Sequence, residues 1–418
     1  MRKRVISRRD FLGNSTLGMM GVAGASALTN PGEAAARSVG IKPRDLPDLT
    51  IKQVKVYVID TGAGKSSKYA YEYIAAIVTN GGIEGNYTLV NRYWHPNWSN
   101  LGWLDYAKGL LLGRSALDLS ALTSQWAPTQ RRMGQSSYAA AIDNCLWDIL
   151  GKAVGLPIYR ILGAYRDRVL AYGSSQHLDT VEEFVADVQK CKAQGFKAYK
   201  VHPPWKQLSN GYADHNYKLD MEVVKAVRKA AGDDFFLLMD PVGIYTRQEA
   251  FAVGRVLDEL GYVSFEDALP TKDIDGLVEL CNALDVPVTM GEFLGSPYYF
   301  GEYIRRGALD EVRFVVDNLG GISGGMKVAQ LAETFNMQCQ PHNWGTTFDH
   351  AVHFHCELAM PNNTWFELTL PVGFSDRTYI KDRIRISADG YVHAPTKPGM
   401  GYEIDRNELD KVTVRIDI

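Results

Sequence analysis

The chain has 418 residues, enough to bury a large core and to form more than one compact unit. Apolar residues make up 46% and charged residues 22%, a globular balance that excludes a disordered or fibrous chain. A net charge of −3, with no basic block beyond the N-terminus, argues against nucleic acid as a partner; five scattered cysteines without CxxC spacing argue against a disulfide framework or zinc finger.

The N-terminus stands apart. "MRKRVISRRDFLGNSTLGMMGVAGASALTN" begins with basic residues and paired arginines, then turns small and apolar. The run Ser7 to Leu12, "SRRDFL", resembles the twin-arginine export signal, and "AAAR" offers an A-x-A cleavage site ending at Ala36. Residues 1–36 are therefore read as a signal peptide, and the mature protein as periplasmic or otherwise exported. The apolar stretch is too short and Gly-rich to span a bilayer, so no stable membrane association is expected.

"IKQVKVYVIDTG" and "YAYEYIAAIVTNGG" read as antiparallel strands, followed by helical patterns through "SYAAAIDNCLWDILGKAVGLPIYRILG". These form an α+β unit over residues 45–165. From about residue 168, eight short apolar runs alternate with amphipathic stretches: "RVLAYGSS", "KAYKVHP", "FFLLMDP", "YVSFEDALP", "VPVTMGEF", "EVRFVVDN", "MQCQPHNW" and "TWFELTLP". Thr180 and Glu183 make a capping box ahead of the first amphipathic stretch. That alternation predicts a closed parallel α/β barrel over 166–385 rather than an open sheet. The strand-like segment 386–418 is expected to pack back on the first unit.

From the second run onward the apolar residues give way to polar ones: Lys200 with His202, then Asp240, Glu266, Glu292, Asp317, His342 and Glu367. In a parallel barrel these positions share the C-terminal rim, where active sites of the fold lie. The steps from Asp240 to Glu266 and from Glu266 to Glu292 are equal, 26 residues each, or one strand–helix unit. Three carboxylates at equivalent positions on consecutive strands would repel unless a cation sat among them. All-oxygen ligation selects a hard divalent ion, Mg²⁺. Lys200 and His202 point to one face of their strand, and His342 ends a strand across the barrel mouth from them.

These residues carry a resemblance to the enolase superfamily, in its mandelate racemase-like (mandelate racemase/muconate lactonizing enzyme) branch. "AAIDNCLWDILGKAVGLPIYRILGAYRDRVLAYGSS", "GFKAYKVH", "LLMDP", "SFEDALP", "VTMGEF", "LGGISGGMKVAQLAE", "QPHNW" and "WFELTLP" follow in the family's order. The resemblance implies an α+β capping domain on a modified (β/α)₇β barrel, with Mg²⁺ held by Asp240, Glu266 and Glu292. It implies removal of a proton α to a carboxylate by a Lys or His base, through a metal-stabilised enediolate. Homo-oligomers are common in the family.

Two departures fall on the bases. The family's Lys-x-Lys motif is Lys200-Val201-His202 here, so Lys200 becomes a cation beside the substrate carboxylate and His202 a base or substrate ligand. The family's strand-six Asp falls on Val315, leaving Asp317, two residues on, to orient His342 or to serve as a turn residue. Glu367 matches a family acid that donates to the substrate carboxylate. The loops "DTGAGKSSKYAYEY" and "NRYWHPNWSN" and the insertion "PPWKQLSNGYADHNYK" are expected over the mouth, the second suited to a sugar acid. The reaction implied is Mg²⁺-dependent dehydration of an acid sugar. The alternatives are a racemase, epimerase or cycloisomerase acting on a similar acid, and a barrel that binds an acid sugar without turning it over.

Overall fold

A computed structural model describes residues 46–63, 70–89, 100–124, 137–208 and 213–418. The export signal, nearly all of "NRYWHPNWSN", and parts of "DTGAGKSSKYAYEY" and "PPWKQLSNGYADHNYK" lie outside the described residues.

The N-terminal strands β1 (Ile51–Asp60), β2 (Tyr71–Thr79) and β3 (Glu84–Thr88) form an antiparallel sheet. Its fourth strand is β14 (Thr413–Asp417), which pairs with β1 from the far end of the described chain, Val56 opposite Asp417. Helix Ser137–Val154 lies across β3, and Gly85 is what allows the approach: a Cβ there would run into the Cys145 carbonyl oxygen. Asp148 of that helix accepts from the backbone N–H of Asn86 (3.0 Å) and of Met400 (3.0 Å), joining sheet, helix and C-terminal segment.

The barrel follows. Strands β4 (Arg168–Ser174), β5 (Ala198–Val201), β8 (Phe236–Met239), β9 (Ser264–Glu266), β10 (Val288–Met290) and β11 (Glu311–Val312) pair in parallel, and β12 (Trp365–Thr369) closes onto β4. β5, β9, β10 and β12 are buried along their whole length, the polar residues they carry included. Helices between them open on capping boxes: the expected one at Thr180 with Glu183, and two more at Thr246 with Glu249 and Thr346 with Asp349. Each such cap stabilises its helix by about 1 kcal/mol.

Two expected strands are reduced. The sixth keeps only Glu311–Val312 as strand, and its end winds into a 3₁₀ turn at Asp317–Leu319. The seventh survives as a ladder: Val312 N–H donates to Gln338 (2.9 Å), Gln340 N–H to Val312 (2.8 Å) and His342 N–H to Phe314 (2.9 Å). Its other edge meets β12 largely through side chains. Gln340 Oε1 accepts from the Thr364 and Trp365 N–H groups (3.2 Å each), and Asn363 Nδ2 donates to the Cys339 carbonyl (3.3 Å). The insertion after β5 forms a hairpin, β6 (Trp205–Gln207) with β7 (Ala213–His215); β13 (Tyr391–His393) adds to β4 antiparallel.

All five cysteines are buried and none forms a disulfide. Among the described residues no helix is long and apolar enough to cross a membrane.

Candidate active site

Asp240, Glu266 and Glu292 follow or end β8, β9 and β10, and each offers one oxygen within 4.8 Å of the others'. Gly291 sits at φ +130°, where a Cβ would strike the Arg313 carbonyl oxygen and the Phe300 ring, so glycine is required for the backbone to present Glu292. The three carboxylates are almost wholly shielded from solvent. Burial pushes Glu266 up to about 7 against the pull of Arg313, with Asp240 adding to the rise. Burial, with Asp267 and Asp240 nearby, also raises Glu292 well above the carboxylate range. Asp240 is the exception: burial opposes its ionisation, but Lys200 and His202 outweigh it and hold its pKa low.

The lysine on β5 is saturated. Lys200 Nζ reaches Asp240 Oδ2 (3.3 Å), Glu266 Oε2 (2.9 Å) and Glu367 Oε1 (2.8 Å). Burial and Arg313 work against its charge, yet Glu266 and Glu367 raise its pKa well above the usual value. With three N–H donors and three carboxylates around it, it is a fixed cation.

His202 is held on both nitrogens. Nδ1 lies 2.8 Å from the Ser175 carbonyl oxygen, which only accepts, so Nδ1 is the donor; Nε2 lies 3.0 Å from Asp240 Oδ2. Its ring is gripped edge-to-face by His177 (5.3 Å) and Trp344 (5.4 Å).

His342 contrasts with it. Burial, with Arg313 and Lys200 adding, holds its pKa well below 6.5 against the pull of Glu367, so the ring is neutral. Nε2 lies 3.5 Å from Glu292 Oε2, and Nδ1 has no hydrogen-bond partner among the described residues.

Two expectations are corrected here. Of the two roles open to Asp317, it serves in a turn and does not orient His342. The Tyr87 hydroxyl of β3 lies 2.8 Å from Asp317 Oδ1 and 3.2 Å from Asp349 Oδ1, and the two carboxyl groups hydrogen-bond each other. Burial, then the Asp349 charge, raise Asp317 well above the carboxylate range, so it is the protonated partner of the pair. The cause is the 3₁₀ turn, which carries Asp317 out of line with the strand.

Nor is Glu367 an acid. It accepts from Ser174 Oγ (2.7 Å), Lys200 Nζ (2.8 Å), the Asn343 N–H (2.7 Å) and Arg313 Nη2. Despite burial, Arg313 and Lys200 hold its pKa well below the usual range. It is an ionised acceptor, with no proton to donate.

Sequence reasoning missed Arg313, whose guanidinium is buried in the barrel between Glu266, Glu292 and Glu367. The signal was there: a lone cation inside the apolar run "EVRFVVDN" has to be paired. It also missed the aromatic side of the mouth. Trp344 Nε1 donates to Ser174 Oγ (3.2 Å) and its ring meets the half-exposed Phe374 (6.2 Å). Trp205 Nε1 donates to His177 Nε2 (3.2 Å), tying the β6–β7 hairpin to the end of β4.

The donor set fits a hard divalent cation. One oxygen on each of two ligand candidates, Glu266 Oε1 and Glu292 Oε2, is buried without a hydrogen bond. A cation would satisfy both and remove the mutual repulsion that raises their pKa values.

Comparison with known proteins agrees with this geometry. Residues 48–163 match the mandelate racemase/muconate lactonizing enzyme N-terminal domain, and residues 183–408 the enolase C-terminal domain-like family. Arabinonate dehydratase of Saccharolobus solfataricus is 29% identical over 301 residues, covering 71% of this chain and 79% of the relative. D-galactarolactone cycloisomerase of Agrobacterium fabrum is 28% identical over 317 residues, covering 72% and 81%. The crystal structure of D-glucarate dehydratase from Agrobacterium tumefaciens, complexed with magnesium, superposes with a TM-score of 0.74 at 28% identity, covering 88% of this chain and 100% of that one. With both domains matched and the barrel and carboxylate triad in place, the chain belongs to the enolase superfamily, in its mandelate racemase/muconate lactonizing enzyme branch.

Proposed function

We propose that the protein is a Mg²⁺-dependent lyase that removes the proton α to the carboxylate of an acid sugar and expels the β-hydroxyl as water. The ion would be held by Asp240, Glu266 and Glu292 and would supply positive charge to the substrate carboxylate as the α carbon loses its proton. Lys200 adds a second, fixed cation, and His342 takes the proton.

The observation that carries this reading is the inequality of the two histidines. His342 is neutral, with no partner for Nδ1 among the described residues, whereas His202 is engaged at both nitrogens. One base that takes a proton and returns it to a departing hydroxide on the same face suffices for an elimination. Racemisation needs a second base on the opposite face, and neither His202 nor Lys200 is free to be one. Dehydratase names among the relatives support the same reading, and the aromatic residues at the mouth suit a sugar chain.

A panel of acid sugars incubated with the protein and Mg²⁺ in deuterated water tests it. The expected product is a 2-keto-3-deoxy acid from at least one substrate. Deuterium exchange at the α carbon without dehydration identifies a racemase or epimerase, and ring formation a cycloisomerase. Binding without exchange or product identifies a barrel that no longer catalyses.

We also propose that the protein is exported in folded form by the twin-arginine route, on the strength of "SRRDFL". Changing Arg8→Lys together with Arg9→Lys should leave the full-length precursor in the cytoplasm; normal periplasmic accumulation of that double variant would rule the route out.

A further inference from the structure

We propose that Arg313 is a built-in counter-cation of the carboxylate ring, holding it together before a metal arrives and lowering the affinity with which it takes one. The inference rests on the reading of Asp240, Glu266 and Glu292 as the metal ligands.

Arg313 follows the short strand β11 and is fully buried. Its Nε contacts Glu266 Oε1 and lies 3.7 Å from Glu292 Oε2, and its Nη2 contacts Glu367 Oε2. Nη1 donates to the Tyr172 hydroxyl (3.2 Å) and to the Gln340 (3.3 Å) and Pro341 (3.5 Å) carbonyl oxygens. Four carboxylates, Asp240, Glu266, Glu292 and Glu367, thus share two permanent cations, Lys200 and Arg313. The carboxylates outnumber these two cations, which leaves room for the charge of a divalent ion; without Arg313 the excess would be larger.

The contacts of Arg313 are of two kinds. With Glu367, Tyr172 and the carbonyls it forms hydrogen bonds. With Glu266 it forms an ion contact, and among the described residues neither Arg313 Nε nor Glu266 Oε1 has a hydrogen-bond partner. The guanidinium is anchored away from the triad and leans on it. Glu266 can turn that oxygen to an incoming cation without breaking a hydrogen bond, but the cation must enter against the arginine's charge.

Packing does not wedge Arg313 in place from below. A cavity of about 230 Å³ lies on the floor side, bordered by Tyr172, Ser264, Thr289, Glu311 and Gln340 as well as by Arg313 and Glu266. Its position is therefore set by its hydrogen bonds and ion contacts. Arginine suits the task because its guanidinium keeps its proton when buried and its planar fork can meet several acceptors at once.

The test is calorimetric titration of Mg²⁺ alone into metal-stripped wild type and Arg313→Gln, with melting of the metal-free proteins. The variant should bind Mg²⁺ roughly tenfold more tightly, within the range of coupling between groups in contact. Its metal-free form should melt lower, and saturating Mg²⁺ should recover most of the loss. A purely structural role would lower the melting point without tightening Mg²⁺ binding. Unchanged or weaker affinity in a folded Arg313→Gln protein overturns the proposal. If that variant is unfolded without metal, Mg²⁺-driven refolding is the readout, and failure to refold at saturating Mg²⁺ overturns it as well. Absence of Mg²⁺ binding by wild type would overturn the metal assignment itself, and this inference with it.

Discussion

His342→Asn is expected to abolish exchange of the substrate's α proton with solvent, a loss on the order of 10²–10⁴-fold or more, with Mg²⁺ affinity within a few-fold of wild type. Asparagine keeps a polar group of similar reach but cannot accept a proton near neutral pH. The neutral state of His342 comes from burial beside Arg313 and Lys200, so the ring waits with a lone pair available. Asp317→Asn is the informative companion. Asp317 is protonated and committed to Tyr87 and Asp349, so its replacement should leave exchange within several-fold of wild type. Abolition of exchange by Asp317→Asn would show that the carboxyl group does reach the base. Full exchange in His342→Asn, with loss in His202→Asn, would move the base to the other side of the mouth.

Glu266→Gln should weaken Mg²⁺ binding by more than the 10–100-fold typical of losing an outer-shell partner, and activity should fall with it. The amide is nearly isosteric, so the barrel should stay folded while the central ligand loses its charge. Glu266, like Glu367, is touched by both Lys200 and Arg313, at Oε2 and Oε1. Removing its charge takes one ion contact from each cation, while Lys200 keeps Asp240 and Glu367 and Arg313 keeps Glu367. Calorimetry showing unchanged Mg²⁺ affinity would mean that the triad is not the metal site.

The sequence made the triad legible because three strands in a row end at equal steps, and equal steps in a parallel barrel mean equivalent rim positions. Register on the following strands was harder to read. Nothing in "EVRFVVDN" announces that the strand stops at Val312, and that early stop is what turns Asp317 away from His342. The seventh strand's pairing to β12 runs through Gln340 and Asn363, which periodicity does not detect. Glu367 looked like an acid from its position alone. Its protonation state depends on Arg313 and Lys200, two cations that only the fold brings against it. His202 likewise revealed its residue type but not that Ser175 and Asp240 occupy both of its nitrogens.

The pairing of β14 with β1 bears on the order in which the molecule assembles. Most parallel pairs in the barrel join strands one unit apart, so those loops are short and their closure costs little entropy. Val56 meets Asp417 across nearly the whole chain, the opposite extreme of contact order. The barrel with its carboxylate ring can form by local steps, while the N-terminal sheet waits for a partner that arrives last. Folding intermediates would then carry an assembled rim beneath an unfinished sheet, with the edge of β1 exposed and open to pairing with another chain.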